Sequence, residues 1–174
     1  MLNQYLSIQN IAFYGVATYI ALVISVPSRA MQQIIYPITA KLMINNEYEK
    51  LNLIYKKTSI NLQVVGGLVM LCIFTNINEL YALIPKEGYS SGKWVVFMIG
   101  LSKYFELILG NNNAIIFNSK YYKTILVLGV LLVFFIITFD MYFIPKFGVI
   151  GAAFATLLSM TLYSLAKLLF VVKK

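Results

Sequence analysis

The sequence predicts an all-α membrane protein with a single transmembrane domain covering residues 1–174. Three observations carry that prediction. Of the 174 residues, 60% are hydrophobic and only 11% are charged, against about 25% charged in an ordinary soluble domain. The apolar residues gather into runs long enough to cross a bilayer, which takes about 20 residues per helix. The basic residues alternate between the two sides of those runs, as topology-setting cations do.

The runs give five spans, at 11–42, 55–74, 94–117, 124–143 and 149–172, here called A to E. Span A reads "IAFYGVATYIALVISV" and continues past Pro27. Helices are the expected form, because lipid satisfies no bare backbone N–H or C=O. The opening "MLNQYLSIQN" reads as the tail of a preceding helix plus a short loop; it lacks the positive n-region and small-residue cleavage site of a signal peptide.

Of the 14 basic residues, ten fall on one side of the spans: Arg29, Lys41, Lys50, Lys56 and Lys57 between A and B, Lys120 and Lys123 between C and D, and Lys167, Lys173 and Lys174 at the end of E. Three fall on the other side, Lys86, Lys93 and Lys146, and Lys103 lies inside C. The positive-inside rule then puts the N-terminus outside and the C-terminus in the cytoplasm. The net charge of +8 is explained by this topology and requires no nucleic-acid partner.

Span C contains the polar residues that such a setting makes expensive. Its stretch "GLSKYFELILGNNNAII" carries Lys103, Glu106, Asn111, Asn112 and Asn113. Lys103 lies about 13 Å along the helix from Trp94 at about 1.5 Å per residue, close to mid-membrane. A charge there costs roughly 2.5–3.5 kcal/mol on insertion scales. Glu106, three residues on, is placed to neutralise it locally. The other reading is that this face lines a water-filled cavity, where intramembrane charges usually reside. Three adjacent asparagines cannot share one helix face. They are expected to bond to neighbouring helices or to mark a break after Gly110.

The remaining features have simpler readings. Gly148, Gly151, Ala152, Ala155, Thr156 and Ser159 form a stripe of small residues on E that permits close helix packing. Gly66 and Gly67 on B are read the same way. Pro27 and Pro37 are expected to kink A. Arg29 between them is either an interfacial arginine that snorkels or a bidentate phosphate ligand. The lone cysteine, Cys72, reads as a small buried hydrophobe; with no histidine in the chain, no disulfide and no metal cluster are expected.

Several of these segments together resemble a known family. "IPKFGVIGAAFATLLS" (residues 144–159), "FYGVATYIALVISVPSRAMQQIIYPITAKL" and "LGNNNAIIFNSKYY" resemble, in order and spacing, segments of polysaccharide and O-antigen flippases of the multidrug/oligosaccharidyl-lipid/polysaccharide exporter superfamily. The resemblance implies a C-terminal lobe minus its first helix, working with an absent amino-terminal lobe. It implies a multi-pass protein of the bacterial inner membrane. Its partners would be the lipid bilayer and a polyprenyl-pyrophosphate-linked oligosaccharide, moved by alternating access for polysaccharide or lipopolysaccharide synthesis, with no cofactor. Arg29, Lys103, Glu106, Asn111, Asn112 and Asn113 become candidates for lining the substrate cavity.

Other classes fare less well. A drug/cation antiporter of the same superfamily needs buried carboxylates, and only Glu106 and Asp140 are placed for it. A membrane-embedded transferase needs histidines or paired acids; the chain has six acids and no histidine, so no enzyme activity is expected. An inactive truncated fragment is the remaining alternative.

Overall fold

Ser7 starts the first helix: its Oγ accepts a hydrogen bond from the Asn10 N–H at 3.4 Å, which satisfies one of the donors that every helix start leaves free. The computed structural model describes residues 7–84 and 92–173, and among them it is helical throughout, with no strand. The elements are α1 (Ile8–Leu22), a short 3-10 turn (Val23–Ser25), α2 (Val26–Ile44), α3 (Tyr48–Thr75), α4 (Ile77–Ala82), α5 (Lys93–Ile108), α6 (Asn112–Asn118) and α7 (Tyr122–Lys173). Of the opening segment expected to hold a helix tail and a short loop, Ile8, Gln9 and Asn10 are helical, and residues 1–6 lie outside the described part.

Span A departs from the α-helix before the first of its two prolines only. Pro27 has no N–H to give the preceding turn, and the chain tightens into the 3-10 turn at Val23–Ser25 just before it. Pro37 is absorbed inside α2. Asn46, at φ 56°, turns the chain into α3, and Lys50 and Asn45 donate to Glu47 there, holding its carboxyl below the usual carboxylate range. Span B becomes 28 residues of α3, starting before the apolar run does. At about 1.5 Å per residue it is longer than the ~30 Å hydrocarbon core.

Span C is two helices. α5 and α6 meet at an angle of 54°, and Gly110 sits at the break with φ +52°. That conformation belongs to glycine, and the space demands it too: a Cβ here would lie 2.9 Å from the Ser59 Cα of α3. Ser59 Oγ donates to the Ile108 carbonyl at 2.6 Å, pairing an oxygen left over by the end of α5.

Spans D and E are continuous as α7 except at Gly148, whose φ 58° and ψ −132° are not helical. A straight helix of this length would be roughly 78 Å long. Instead Tyr121 and Phe170 meet ring to ring at 5.7 Å, and Phe143 meets Phe154 at 5.1 Å. The chain therefore reverses near Gly148 and returns beside itself. Gly148 was expected to serve packing, but it is the reversal point. Gly151 does the packing, lying so close to the Phe143 carbonyl that any side chain there would collide with it.

The core follows from this path. Ala17, Ala21, Ile24, Leu62, Ile73, Tyr81, Val95, Val96, Ile99, Leu107 and Ala153 form one buried cluster. Gly66 and Gly100 give passage at its centre: a Cβ on Gly66 would strike Leu107, and one on Gly100 would lie 3.0 Å from Ile24 Cδ1. Of the stripe on E, Gly151, Ala152, Ala155 and Ser159 are buried, and α5 and α7 form the most extensive helix pair. Cys72 corrects the sequence reading: it is a free thiol on the exposed side of α3, beside the exposed Leu68 and Leu71. Three helical segments, or four when α5 and α6 are taken as one broken span, are long and apolar enough to cross a membrane.

Candidate functional site

The break at Gly110 points three asparagines in three directions. Asn111 Nδ2 donates to Thr39 Oγ1 of α2 at 2.7 Å. Asn113 Oδ1 accepts from Lys167 Nζ of α7 at 2.9 Å. Asn112 is 1% exposed, and neither atom of its amide has a hydrogen-bond partner among the described residues. Nearby, Asn118 Nδ2 donates to the Tyr36 carbonyl at 3.2 Å. The amides thus tie a broken helix to its neighbours on both sides, the interhelical bonding expected of them. A bent helix exposes backbone and polar atoms that an unbroken one would satisfy internally.

Lys103 Nζ lies 3.3 Å from Glu106 Oε2, with side chains 18% and 39% exposed. The local neutralising pair is therefore formed. Arg29 is elsewhere: it is exposed on α2, away from the asparagines' bonding partners, with no ion pair among the described residues. The six candidates do not make one constellation. Lys103, Glu106 and Asn113 belong together around Lys167, Asn111 and Asn112 are buried in the packing of α6, and Arg29 stands apart.

Lys167 is the residue that sequence reasoning missed. It was counted among the interfacial cations at the end of span E, but it is 2% exposed. Its ammonium is held by the Asn113 oxygen and by the face of the Tyr163 ring, 3.8 Å from the centroid, a cation–π contact that gains strength when water is excluded. Glu106 and Lys103 are close enough to act on it electrostatically. With Lys103 and Glu106 paired to each other, Lys167 is the buried cation of the group. A signal was present: Ser159, Tyr163 and Lys167 recur every four residues, which carries the small-residue face of E onward to its end. With Lys167 withdrawn from the edge, the basic bias is nine to three, and its direction is unchanged.

At the same end of the bundle, residues of α2, α3, α6 and α7 enclose a cleft of about 940 Å³. Met43, Leu51, Ile116 and Phe170 give it an apolar floor, and Lys120 and Tyr121 stand in its wall. Among the described residues, no group of histidine, cysteine or acidic side chains is arranged to hold a metal ion.

Compared with models of known protein families, with curated proteins and with solved structures, the chain matches none.

Proposed function

We propose that the chain is one lobe of a membrane transporter that carries a lipid-linked oligosaccharide across the bacterial inner membrane by alternating access, together with an amino-terminal lobe, and that it is not an enzyme. It crosses the bilayer five times, N-terminus outside and C-terminus in the cytoplasm. The five spans are α1–α2, α3, α5–α6 and the two limbs of α7. The reversal at Gly148 supports counting α7 twice, and the lysine bias supports the orientation.

The observation that carries the reading is the group of Lys103, Glu106, Asn113 and Lys167 at the broken helix. Ionisable residues are retained inside a membrane bundle where they serve a pathway or a substrate, and a buried cation in a low-dielectric interior suits an anionic pyrophosphate. The resemblance of the sequence to polysaccharide flippases names the cargo class.

Glycan export tests this in bacteria lacking their own flippase, complemented with the complete gene product. The Lys167→Met variant removes the net charge of the group and leaves the Lys103–Glu106 pair in place, so it is expected to accumulate normally and to export at least about tenfold less, the effect of roughly 1.4 kcal/mol of lost substrate stabilisation. Full export by that variant refutes the substrate role. Orientation is checked in a Cys72→Ser background: Lys50→Cys is expected to be protected from an impermeant thiol reagent and Leu83→Cys to be labelled. The drug/cation antiporter is kept as a second reading by one feature, the Asp140 Oδ1, which is buried and has no hydrogen-bond partner among the described residues. Under that reading Asp140→Asn abolishes drug efflux, while glycan export never depends on the protein.

A further inference from the structure

The cleft near Lys120 combines three properties that seldom coincide. It is large, about 940 Å³, near the top of the range of about 300–1,000 Å³ for ligand sites. Its floor is aliphatic and aromatic. Among the described residues no acidic side chain lines it, while Lys120, Asn52, Asn118 and Ser119 do. Lys120 is held at the opening by the Tyr121 ring, 5.2 Å from its ammonium to the centroid, and Tyr121 is itself braced edge-on by Phe170.

The surroundings have one sign. The segments flanking the cleft, 41–57 and 118–123, hold six lysines (Lys41, Lys50, Lys56, Lys57, Lys120 and Lys123) against two glutamates (Glu47 and Glu49), a net +4. One of the two acids, Glu47, is occupied by Lys50 and Asn45. Lys41, Lys56, Lys57, Lys120 and Lys123 are all exposed. Tyr48 and Tyr55 also line the cleft, and tyrosine prefers the depth where acyl chains give way to headgroups.

We propose that this cleft is a binding site for an anionic phospholipid of the surrounding membrane. The headgroup phosphate sits between Lys120 and the amides of Asn52 and Asn118, and the upper part of an acyl chain lies along Leu51, Ile116 and Phe170. A basic pocket between membrane helices is the chemistry that selects an anionic headgroup; the apolar floor selects an amphiphile over a free anion. The site is separate from the Lys103–Lys167 group and needs no transport activity, so it stands or falls apart from the transporter reading.

Native mass spectrometry of the purified full chain in detergent tests it, with phosphatidylglycerol and phosphatidylcholine of matched chains as the probes. Phosphatidylglycerol is expected to remain bound at least about fivefold more than phosphatidylcholine, since each lysine near such a headgroup contributes about that factor. Lys120→Gln removes the charge at the opening, and Asn52→Trp fills the cleft while keeping every charge. Each is expected to lower the retained phosphatidylglycerol to the phosphatidylcholine level. Both positions are exposed, so monodispersity is expected to persist, and it is measured for each variant. Equal retention of the two lipids overturns the proposal, as does phosphatidylglycerol binding that survives both variants. A rise in melting temperature with millimolar inorganic phosphate equal to that with phosphatidylglycerol also overturns it, because the site would then serve a free anion.

Discussion

Residues 94–117 and 124–143 look alike to a hydropathy scan, yet the bundle treats them oppositely. The first, α5 with α6, carries a lysine, a glutamate and three asparagines, and it is the buried one: Val95, Val96, Ile99, Leu107, Ala114 and Ile116 are each no more than 2% exposed. The second, the first limb of α7, is more uniformly apolar, and no residue of the most apolar 18-residue window of α7 is buried. Leu126, Val127, Val130, Val133 and Phe134 all face outward. In water the greasier helix would go inside. In a bilayer the hydrophobic effect gives no preference between a helix neighbour and a lipid tail. Polar groups then decide which segment is enclosed, because only protein or trapped water can satisfy them. Polarity inside a span is thus a marker of the interior.

The sharpest way to break this comparison uses one glycine from each region. Gly110 has φ +52°, and an added Cβ meets Ser59 backbone. Gly129 has nothing within 4 Å of an added Cβ. Gly110→Ala is expected to cost about 3 kcal/mol or more, from roughly 1–2 kcal/mol of left-handed strain plus overpacking against α3. Gly129→Ala is expected to be neutral, or to stabilise by up to ~1 kcal/mol through helix propensity. Thermal unfolding of the two purified variants in detergent decides it; equal melting temperatures would mean that the break at Gly110 is not a fixed part of the fold.

A double-mutant cycle between Asn113 and Lys167 comes next in size. Asn113→Leu removes the oxygen from a buried ammonium, and a hydrogen bond to a charged group is worth about 1.5–3 kcal/mol. Lys167→Met removes the charge and leaves only an amide unbonded. The double variant is expected to recover most of the loss of Asn113→Leu, giving a coupling of about 1–2 kcal/mol. Strict additivity would show that the 2.9 Å contact contributes nothing.

How far the sequence could be read follows the same division. The all-helical fold and its three or four helices of membrane-crossing length were legible from apolar length, because a membrane imposes that length on any helix that crosses it. The break after Gly110 was legible because glycine followed by asparagines is a poor continuation of a helix. What escaped was set by tertiary geometry. Lys167 stands six positions from the first of the terminal lysines, and sequence position alone placed it with them; only the fold of α6 against α7 shows it withdrawn onto Asn113. Cys72 sat in a run so uniformly apolar that no periodicity distinguished its inward face from its outward one. Gly148 shared a spacing with the packing stripe, and only its φ and ψ separate a reversal from a contact.

The smallest predicted effect probes the outward limb itself. Leu126 and Val130 are 68% and 72% exposed, one turn apart on the face that α7 turns away from the bundle. Truncating either to Ala removes methyl groups that contact detergent or lipid in the folded state and in the inserted, unassembled state alike. No transfer term is lost, and no cavity forms because the surrounding solvent is fluid. The expected change is within about 0.5 kcal/mol, as for substitutions away from packed sites. Leu107→Ala in α5 supplies the contrast, since it vacates a 1% exposed position against Gly66 and is expected to cost about 2–5 kcal/mol through the cavity it leaves. The comparison is read as the difference in melting temperature between the two regions. If Val130→Ala destabilised as much as Leu107→Ala, the outward limb would be packed against protein in the assembled molecule, and its apolar face would then be an interface and not a lipid boundary.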